Sequence, residues 1–216
     1  MRRTALIAAA IAAIALVPWM PASAATPGPC PLGRSFDQAV AGLRICGQDQ
    51  LDALYRVLRS GPMPAYGSAA RGYWRWSPDA HGLDQPLNFL TEAAIWQGKV
   101  FYTTSRGGVI YNRVGADRED LPARVYYGAG RLDGRSAIIV DYASDDDVVM
   151  DQFFRDEIRQ VLPGLYLGIG WWHREPPGWV GPDRITFILD FKHPDIPPST
   201  CPQCALLDRA IGPGHP

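Results

Sequence analysis

The chain has 216 residues, of which 47% are hydrophobic and 20% charged, and its formal net charge is −1. This length suits one domain with appendages. The near-neutral charge excludes a nucleic-acid binder that works through bulk electrostatics, and the hydrophobic fraction excludes wholesale disorder. With 22 Gly, 20 Pro and 11% aromatic residues, the composition favours many short strands and turns over a helical bundle.

The first 24 residues have the layout of a secretory signal peptide. Arg2 and Arg3 give a positive start, residues 5–17 are an apolar run, and Ala22-Ser23-Ala24 is a small-x-small cleavage site. The run is shorter than the roughly 20 residues that cross a bilayer, so no membrane span is expected. We therefore predict an exported protein, periplasmic or extracellular, whose net charge moves from −1 to −3 when Arg2 and Arg3 are removed.

One helix is predicted near the start of the mature chain. Within residues 48–59, Leu51, Leu54 and Leu58 fall on one helical face. Gly61-Pro62 follows and is a helix stop signal.

Residues 71–76 are a short aromatic strand candidate, and residues 86–96 are predicted to be helical or irregular. From residue 97 onward the pattern changes to short β-rich segments separated by Gly, Pro and Asp turns. The segment 153–161 is open to a helical or a strand interpretation. The predicted strands are 71–76, 99–104, 109–114, 124–129, 136–142, 153–161, 165–173 and 184–191.

These connections are too short for the crossover helices of a parallel sheet. We therefore predict a mainly β fold, an antiparallel up-and-down β-barrel of about eight strands with an N-terminal helix, wide enough for one small ligand. An open sandwich is the alternative. The domain plan is a signal peptide over 1–24, a Pro/Gly-rich segment over 25–47, the barrel over 48–193 and a tail over 194–216.

Four cysteines lie at the two ends of the mature chain: Cys30, Cys46, Cys201 and Cys204. In an exported protein they predict two disulfides. Two local pairs would close short loops, whereas a crossed pairing would join the N-terminal segment to the tail. A redox role for the C-x-x-C at 201–204 and a four-cysteine zinc site are the weaker alternatives.

Charged residues in the segment 153–161 are candidates for ligand binding. If the segment is a strand, Arg155, Glu157 and Arg159 share one face, and Asp156 lies on the other. Either face brings charge to the inside of a small barrel, where an Arg pair oriented by Glu157 would hold a carboxylate. The alternative is a solvated helix face.

Aromatic residues on the predicted strands are the second set of candidates. Tyr and Trp in a cavity offer apolar area with a polar end, which suits a planar or acyl ligand, although plain core packing would explain them equally. The candidates are Tyr73, Trp74, Trp76, Tyr126, Tyr166 and Trp172.

The sequence does not predict a reaction. Its four histidines assemble no ligand spacing, and nucleophile-elbow, phosphate-loop and dinucleotide motifs are missing, so no metal or cofactor is expected. If the protein is an enzyme, Asp141, Asp156 or Glu157 would act as acid or base, with Tyr126 or Tyr166 assisting.

Several strings, including Gly72-Tyr73-Trp74-Arg75-Trp76, resemble an uncharacterised lipocalin-like (calycin-type) family with a Gly-x-Trp-x-Gly segment. Trp76 stands here where that segment has its second Gly. The resemblance covers about residues 48–191 and implies a barrel with a ligand cavity, but no catalytic residues. The other matching strings are 96–101, 112–114, 126–128, 132–135, 155–159 and 163–168.

The sequence thus favours an exported lipocalin-like barrel that binds a small hydrophobic molecule, and a ligand bearing a carboxylate would suit its arginine pair. The alternatives are an enzyme that uses the same cavity and a cell-envelope interaction protein without one. The oligomeric state stays open.

Overall fold

The computed structural model describes residues 28–75, 96–114, 118–142, 154–172 and 184–194. In these ranges eight antiparallel strands close into a barrel, each paired with the next and β8 paired with β1, which confirms the predicted fold class. Two helices precede the barrel. The elements are α1 (Phe36–Ile45), α2 (Gln48–Val57), β1 (Ser68–Arg75), β2 (Trp96–Thr104), β3 (Gly107–Val114), β4 (Arg118–Ala129), β5 (Ser136–Asp141), β6 (Phe154–Leu162), β7 (Leu165–Trp172) and β8 (Arg184–Asp190).

Helix α2 matches the predicted helix, but α1 was not predicted. It begins at a capping box: the Ser35 hydroxyl accepts a bond from the Gln38 N–H, and the Gln38 side chain accepts one from the Ser35 N–H. This Ser-x-x-Gln pattern is a helix-start signal that was available in the sequence.

Both helices cover the outer face of β7, β8 and β1. Leu43 and Leu51 of the helices pack in one cluster with Leu167 and Ile188 of the barrel wall. Strand β7 is therefore buried on both faces, which explains its nearly continuous apolar sequence.

A disulfide joins Cys30 to Cys46, the residue that caps the end of α1. This is one of the two local pairs considered above, and it closes the loop that contains α1. In the chain-entropy model, a loop of about this length adds roughly 3 kcal/mol to the free energy of unfolding.

The barrel interior is filled mainly by large apolar side chains. Glycine makes room for one of them: a Cβ at Gly168 would lie 2.3 Å from the Phe187 ring. The buried interior cluster consists of Ala70, Trp96, Phe101, Ile110, Ala123, Val125, Ile138, Val140, Tyr142, Ile158, Tyr166, Phe187 and Leu189.

The segment between α2 and β1 closes one end of the barrel. Met63 packs against the interior cluster, the Tyr166 hydroxyl donates to the Pro62 carbonyl at 2.7 Å, and the Thr103 hydroxyl donates to the Pro64 carbonyl. Phe191, just after β8, adds an aromatic contact with Tyr166 at this end, which we call the closed end.

The strands β1, β3, β5 and β7 finish at the opposite end, and β2, β4, β6 and β8 start there. Inward-facing aromatic residues lie at these strand ends, so we call it the aromatic end. They are Trp74, Trp96, Phe154 and Trp172.

Some sequence predictions fall on residues outside the described ranges: the signal peptide 1–24, most of 86–96, Trp76, Cys201, Cys204 and the tail beyond residue 194. Among the described helices, none is both long and apolar enough to cross a membrane.

Candidate functional site

Strand register decides which charged residue of β6 enters the barrel. Asp156 pairs with Val140 and Gly170, and its side chain lies among the interior residues. Arg155, Glu157 and Arg159 alternate with it and lie on the outer face. The sequence left open which face of β6 turns inward, and the ligand-binding role predicted for these three residues required their face to be the inner one. The β6 register instead places the Asp156 face inside.

Asp156 forms an ion pair with Lys99 inside the barrel. The Lys99 Nζ lies 2.8 Å from Asp156 Oδ2, with side-chain exposures of 2% and 6%. The Tyr142 hydroxyl donates to the same carboxylate oxygen at 3.1 Å. A buried charge pair of this kind needs further hydrogen bonds to offset its desolvation.

Asn112 supplies these further bonds. Its Oδ1 accepts from Lys99 Nζ at 2.7 Å and from the Trp96 indole N–H at 2.8 Å. Its Nδ2 donates to the Tyr142 hydroxyl and to the Leu121 carbonyl. We call Lys99, Asn112, Tyr142 and Asp156 the interior polar cluster.

All three N–H donors of Lys99 are engaged within this cluster, since Nζ also donates to the Tyr142 hydroxyl at 2.5 Å. Burial lowers the pKa of Lys99, and the charge of Asp156 opposes that shift. The rings of Trp96, Tyr142 and Phe187 lie 5.2 to 5.5 Å from Nζ and add cation–π attraction.

A β-bulge brings Trp96 and Lys99 onto one face of β2. The pairing with β3 shifts between Trp96 and Gly98, and without that shift residues three apart would face opposite ways. Gly98 has φ +135, and a Cβ there would lie 2.0 Å from the Ala70 carbonyl oxygen. Only glycine fits this bulge, so it determines the geometry of the cluster.

Aromatic rings face inward at the aromatic end of the barrel, next to the interior polar cluster. Trp74 and Trp96 meet edge to face at 5.3 Å between ring centroids, and Phe154 and Trp172 lie 4.0 Å apart. Trp74, Phe154 and Trp172 are half-buried. The aromatic end thus combines apolar ring surface with a buried polar group, as small-molecule sites do.

The aromatic residues predicted to bind a ligand are separated by the structure. Trp74 and Trp172 face inward at the aromatic end, whereas Tyr166 faces inward near the closed end, where burial raises its pKa to about 12. Tyr73 packs outside the barrel under the helices, and Tyr126 is exposed on the outer face. The interior placement expected for Tyr73 and Tyr126 was wrong, because strand alternation turns both outward.

Arg159 belongs to a buried cluster outside the barrel. It donates twice to Asp133, at 2.6 and 2.7 Å, and its other N–H groups donate to the carbonyls of Tyr55, Arg135 and Ser136. All five guanidinium donors are thus engaged, and a ligand carboxylate would have to displace Asp133.

Glu157 and Arg155 complete this outer cluster. Glu157 Oε2 accepts from the Arg131 N–H at 2.7 Å and lies 3.5 Å from the Arg155 guanidinium. Arg155 also donates to the Ala129 carbonyl. The cluster therefore joins β6 to the turn after β4.

Of the acid/base candidates, only Asp156 lies inside the barrel. Asp141 lies on the outer face, where it accepts a hydrogen bond from the Tyr126 hydroxyl at 2.9 Å. Glu157 is in the outer cluster. Within the described ranges, no group of His, Cys, Asp and Glu has the geometry of a metal site.

Lys99, Asn112 and Tyr142 were missed as site residues. One sequence signal existed for Lys99 and Asn112: polar residues that share a face with Phe101 and Ile110 in strands of a closed barrel must face inward. Tyr142 follows directly after β5 and gave no signal, because its role depends on partners from three other strands.

Comparisons with family models, with curated proteins and with solved structures gave no match to this chain.

Proposed function

We propose that the protein is an exported, lipocalin-like barrel that binds a small, largely apolar molecule at its aromatic end. The observation that carries the proposal is a difference between the two barrel ends among the described residues. Pro62, Met63 and Pro64 seal the closed end, while half-buried indole rings stand above a buried ion pair at the other.

The chemistry of the aromatic end supports an apolar, preferably planar ligand. Trp74, Phe154 and Trp172 offer ring faces and edges, and such contacts add about 0.5–1.5 kcal/mol each beyond the area they bury. The interior polar cluster lies below these rings, so a polar group at the buried end of the ligand would contact it.

Export is part of the proposal. Disulfides persist in oxidising compartments, and the Cys30–Cys46 bond fits such a location. The signal-peptide pattern of residues 1–24 points the same way.

The neighbouring residues Trp171 and Trp172 allow a matched test. Trp172 faces inward against Phe154, whereas Trp171 packs on the outer face near Arg184. The measurement is titration with N-phenyl-1-naphthylamine, whose fluorescence rises when it leaves water. We expect Trp172→Ala to weaken binding by about tenfold or more, because one lost aromatic contact corresponds to about 1.4 kcal/mol.

The control is Trp171→Ala, which should change the affinity less than about threefold while unfolding as a single transition. The proposal is wrong if the unmodified protein does not bind the probe, or if both substitutions weaken binding equally.

A further inference from the structure

Lys99 and Asn112 face each other directly inside the barrel. They are cross-strand partners in the register of β2 and β3, and Lys99 Nζ lies 2.7 Å from Asn112 Oδ1. Because a C=O bond adds about 1.23 Å to this distance, the amide carbon of Asn112 lies within about 3.9 Å of Nζ. Atoms that react in proteins are held at about 3–3.5 Å. Only a small movement therefore separates the observed contact from attack of the amine on the amide.

The surroundings of Lys99 allow the neutral amine that such an attack requires. Its side chain is 2% exposed, and burial lowers its pKa. The charge of Asp156 opposes that shift, but Asp156 Oδ2 lies 2.8 Å from Nζ and is placed to accept the ammonium proton. A desolvated lysine that has passed its proton to a neighbour is a nucleophile.

The side-chain amide of Asn112 is polarised by its neighbours. The Trp96 indole N–H donates to Oδ1 at 2.8 Å, which is the atom where negative charge would develop during attack. On the other side of the amide, Nδ2 donates to the Tyr142 hydroxyl at 3.0 Å. This hydroxyl also donates to Asp156 Oδ2 at 3.1 Å. Tyr142 therefore connects the proton acceptor to the nitrogen that would leave.

The reacting groups are enclosed by the barrel. Lys99 is 2% exposed, and Asn112 and Asp156 are each 4% exposed. Three aromatic rings lie 5.2 to 5.5 Å from Lys99 Nζ. Water kept out of such a site does not compete with the amine for the amide carbon. Nucleophile, acyl carbon and proton acceptor all belong to this chain, so the reaction needs no outside substrate.

We infer that Lys99 and Asn112 form an isopeptide bond, an amide that joins their side chains inside the barrel. Asp156 takes one proton from the Lys99 ammonium. The Nζ lone pair then bonds to the amide carbon of Asn112, and the carbonyl electron pair moves to Oδ1. When that pair returns, the bond to Nδ2 breaks. Nδ2 leaves as ammonia with the proton that Asp156 passes on through the Tyr142 hydroxyl, and Asp156 keeps the second proton that Nζ loses.

Mass spectrometry of the purified protein tests the inference, which does not depend on the proposed function because no ligand takes part. The linked chain should be about 17 Da lighter than its disulfide-bonded sequence, since ammonia is lost. Trypsin cuts after Arg106, which lies between Lys99 and Asn112, so the bond should appear as a branched pair of peptides.

An unchanged mass, or a digest without this branched pair, would overturn the inference. A loss of about 18 Da would overturn it as well, because water would then be the leaving group and Asp156 the residue joined to Lys99.

Two variants test the proton path. Asp156→Asn removes the proton acceptor, and we expect no linked product. Tyr142→Phe keeps the ring but removes the hydroxyl, and we expect the linked fraction to grow at least about tenfold more slowly after synthesis, because proton transfer by a positioned side chain contributes about a hundredfold or more. Both should be compared as folded proteins that unfold in a single transition.

The matched control is Tyr126→Phe, which also removes a tyrosine hydroxyl bonded to an aspartate, but on the outer face of the barrel. It should become linked as fast as the unmodified protein. If folded Asp156→Asn or Tyr142→Phe becomes linked as fast as this control, the inferred proton path is overturned.

Discussion

Lys99 contacts the other three residues of the interior polar cluster. Burial lowers the pKa of Lys99, and Asp156, 2.8 Å from Nζ, opposes that shift, while Asn112 and Tyr142 accept its remaining N–H groups. A buried pair of this kind adds little net stability relative to apolar residues, but breaking it leaves one charge uncompensated. Net stabilisation therefore does not by itself explain why the barrel holds this pair.

Replacement of Lys99 alone should be costly. We expect Lys99→Met to lower the free energy of unfolding by about 3–5 kcal/mol, because Asp156 would stay buried without its partner. The double variant Lys99→Met/Asp156→Leu should recover most of this loss. Urea unfolding measures both values.

Arg118→Met serves as the control, since Arg118 pairs with Asp120 on the exposed surface and should cost less than about 1 kcal/mol. If Lys99→Met costs no more than this control, the ion pair is not buried as described.

At the scale of elements, a residue without a side chain in β7 makes room for a ring from β8 inside the barrel. Gly168 and Phe187 are cross-strand partners, and the Phe187 ring occupies the space where a side chain of residue 168 would stand. The same ring contacts Trp96 at 5.6 Å, which links the β7 glycine to the aromatic end.

We therefore expect Gly168→Ala to destabilise the protein by about 1–3 kcal/mol, since the new Cβ would force Phe187 from its position. Thermal and urea unfolding give the size of the effect. Gly28→Ala is the matched control, because nothing lies within 4 Å of a Cβ there. Equal stability of the two variants would show that Phe187 moves without cost.

At the scale of the whole molecule, Arg159 ties the helices to the barrel. Its guanidinium joins β6 to the Tyr55 carbonyl at the end of α2 and to Asp133 in the turn before β5. The Tyr55 ring lies 4.4 Å from the guanidinium carbon and adds cation–π attraction. The outer cluster thus holds the helices against the barrel. The sequence analysis had instead predicted that its arginines bind a ligand.

This contact makes stability depend on pH in the acid range. Hydrogen bonding from Arg159 lowers the pKa of Asp133 from 3.8 to about 2. A carboxyl group with a lowered pKa in the folded state stabilises above its unfolded value and loses that contribution as pH falls through its folded value. The contribution of Asp133 is therefore complete above about pH 5 and fades between about pH 4 and pH 2.

The variant Asp133→Asn should be less stable than the unmodified protein at pH 7 by about 3 kcal/mol, because Arg159 loses its charged partner. That difference should narrow as pH falls from about 4 to 2, where Asp133 itself becomes neutral. Urea unfolding across this range measures it, with the exposed Asp49→Asn as control. A difference that stays constant down to pH 2 would contradict the assignment.

The sequence by itself determined the fold class and most strand positions. Turn residues such as Asp133-Gly134 and Pro163-Gly164 separate segments with β propensity, and connections this short permit only antiparallel neighbours. Helix α2 followed from the spacing of its leucines, and α1 was available through the capping box at Ser35. These features are local, so the sequence expresses them directly.

The site was decided by tertiary structure. Strand β6 carries charge on both faces, and only its register with β5 and β7 places Asp156 inside and Arg159 outside. The bulge at Gly98 similarly sets Lys99 beside Trp96. Alternation determines which residues of a strand share a face, but it does not determine which face turns inward. The pairing of strands in the closed barrel decides that.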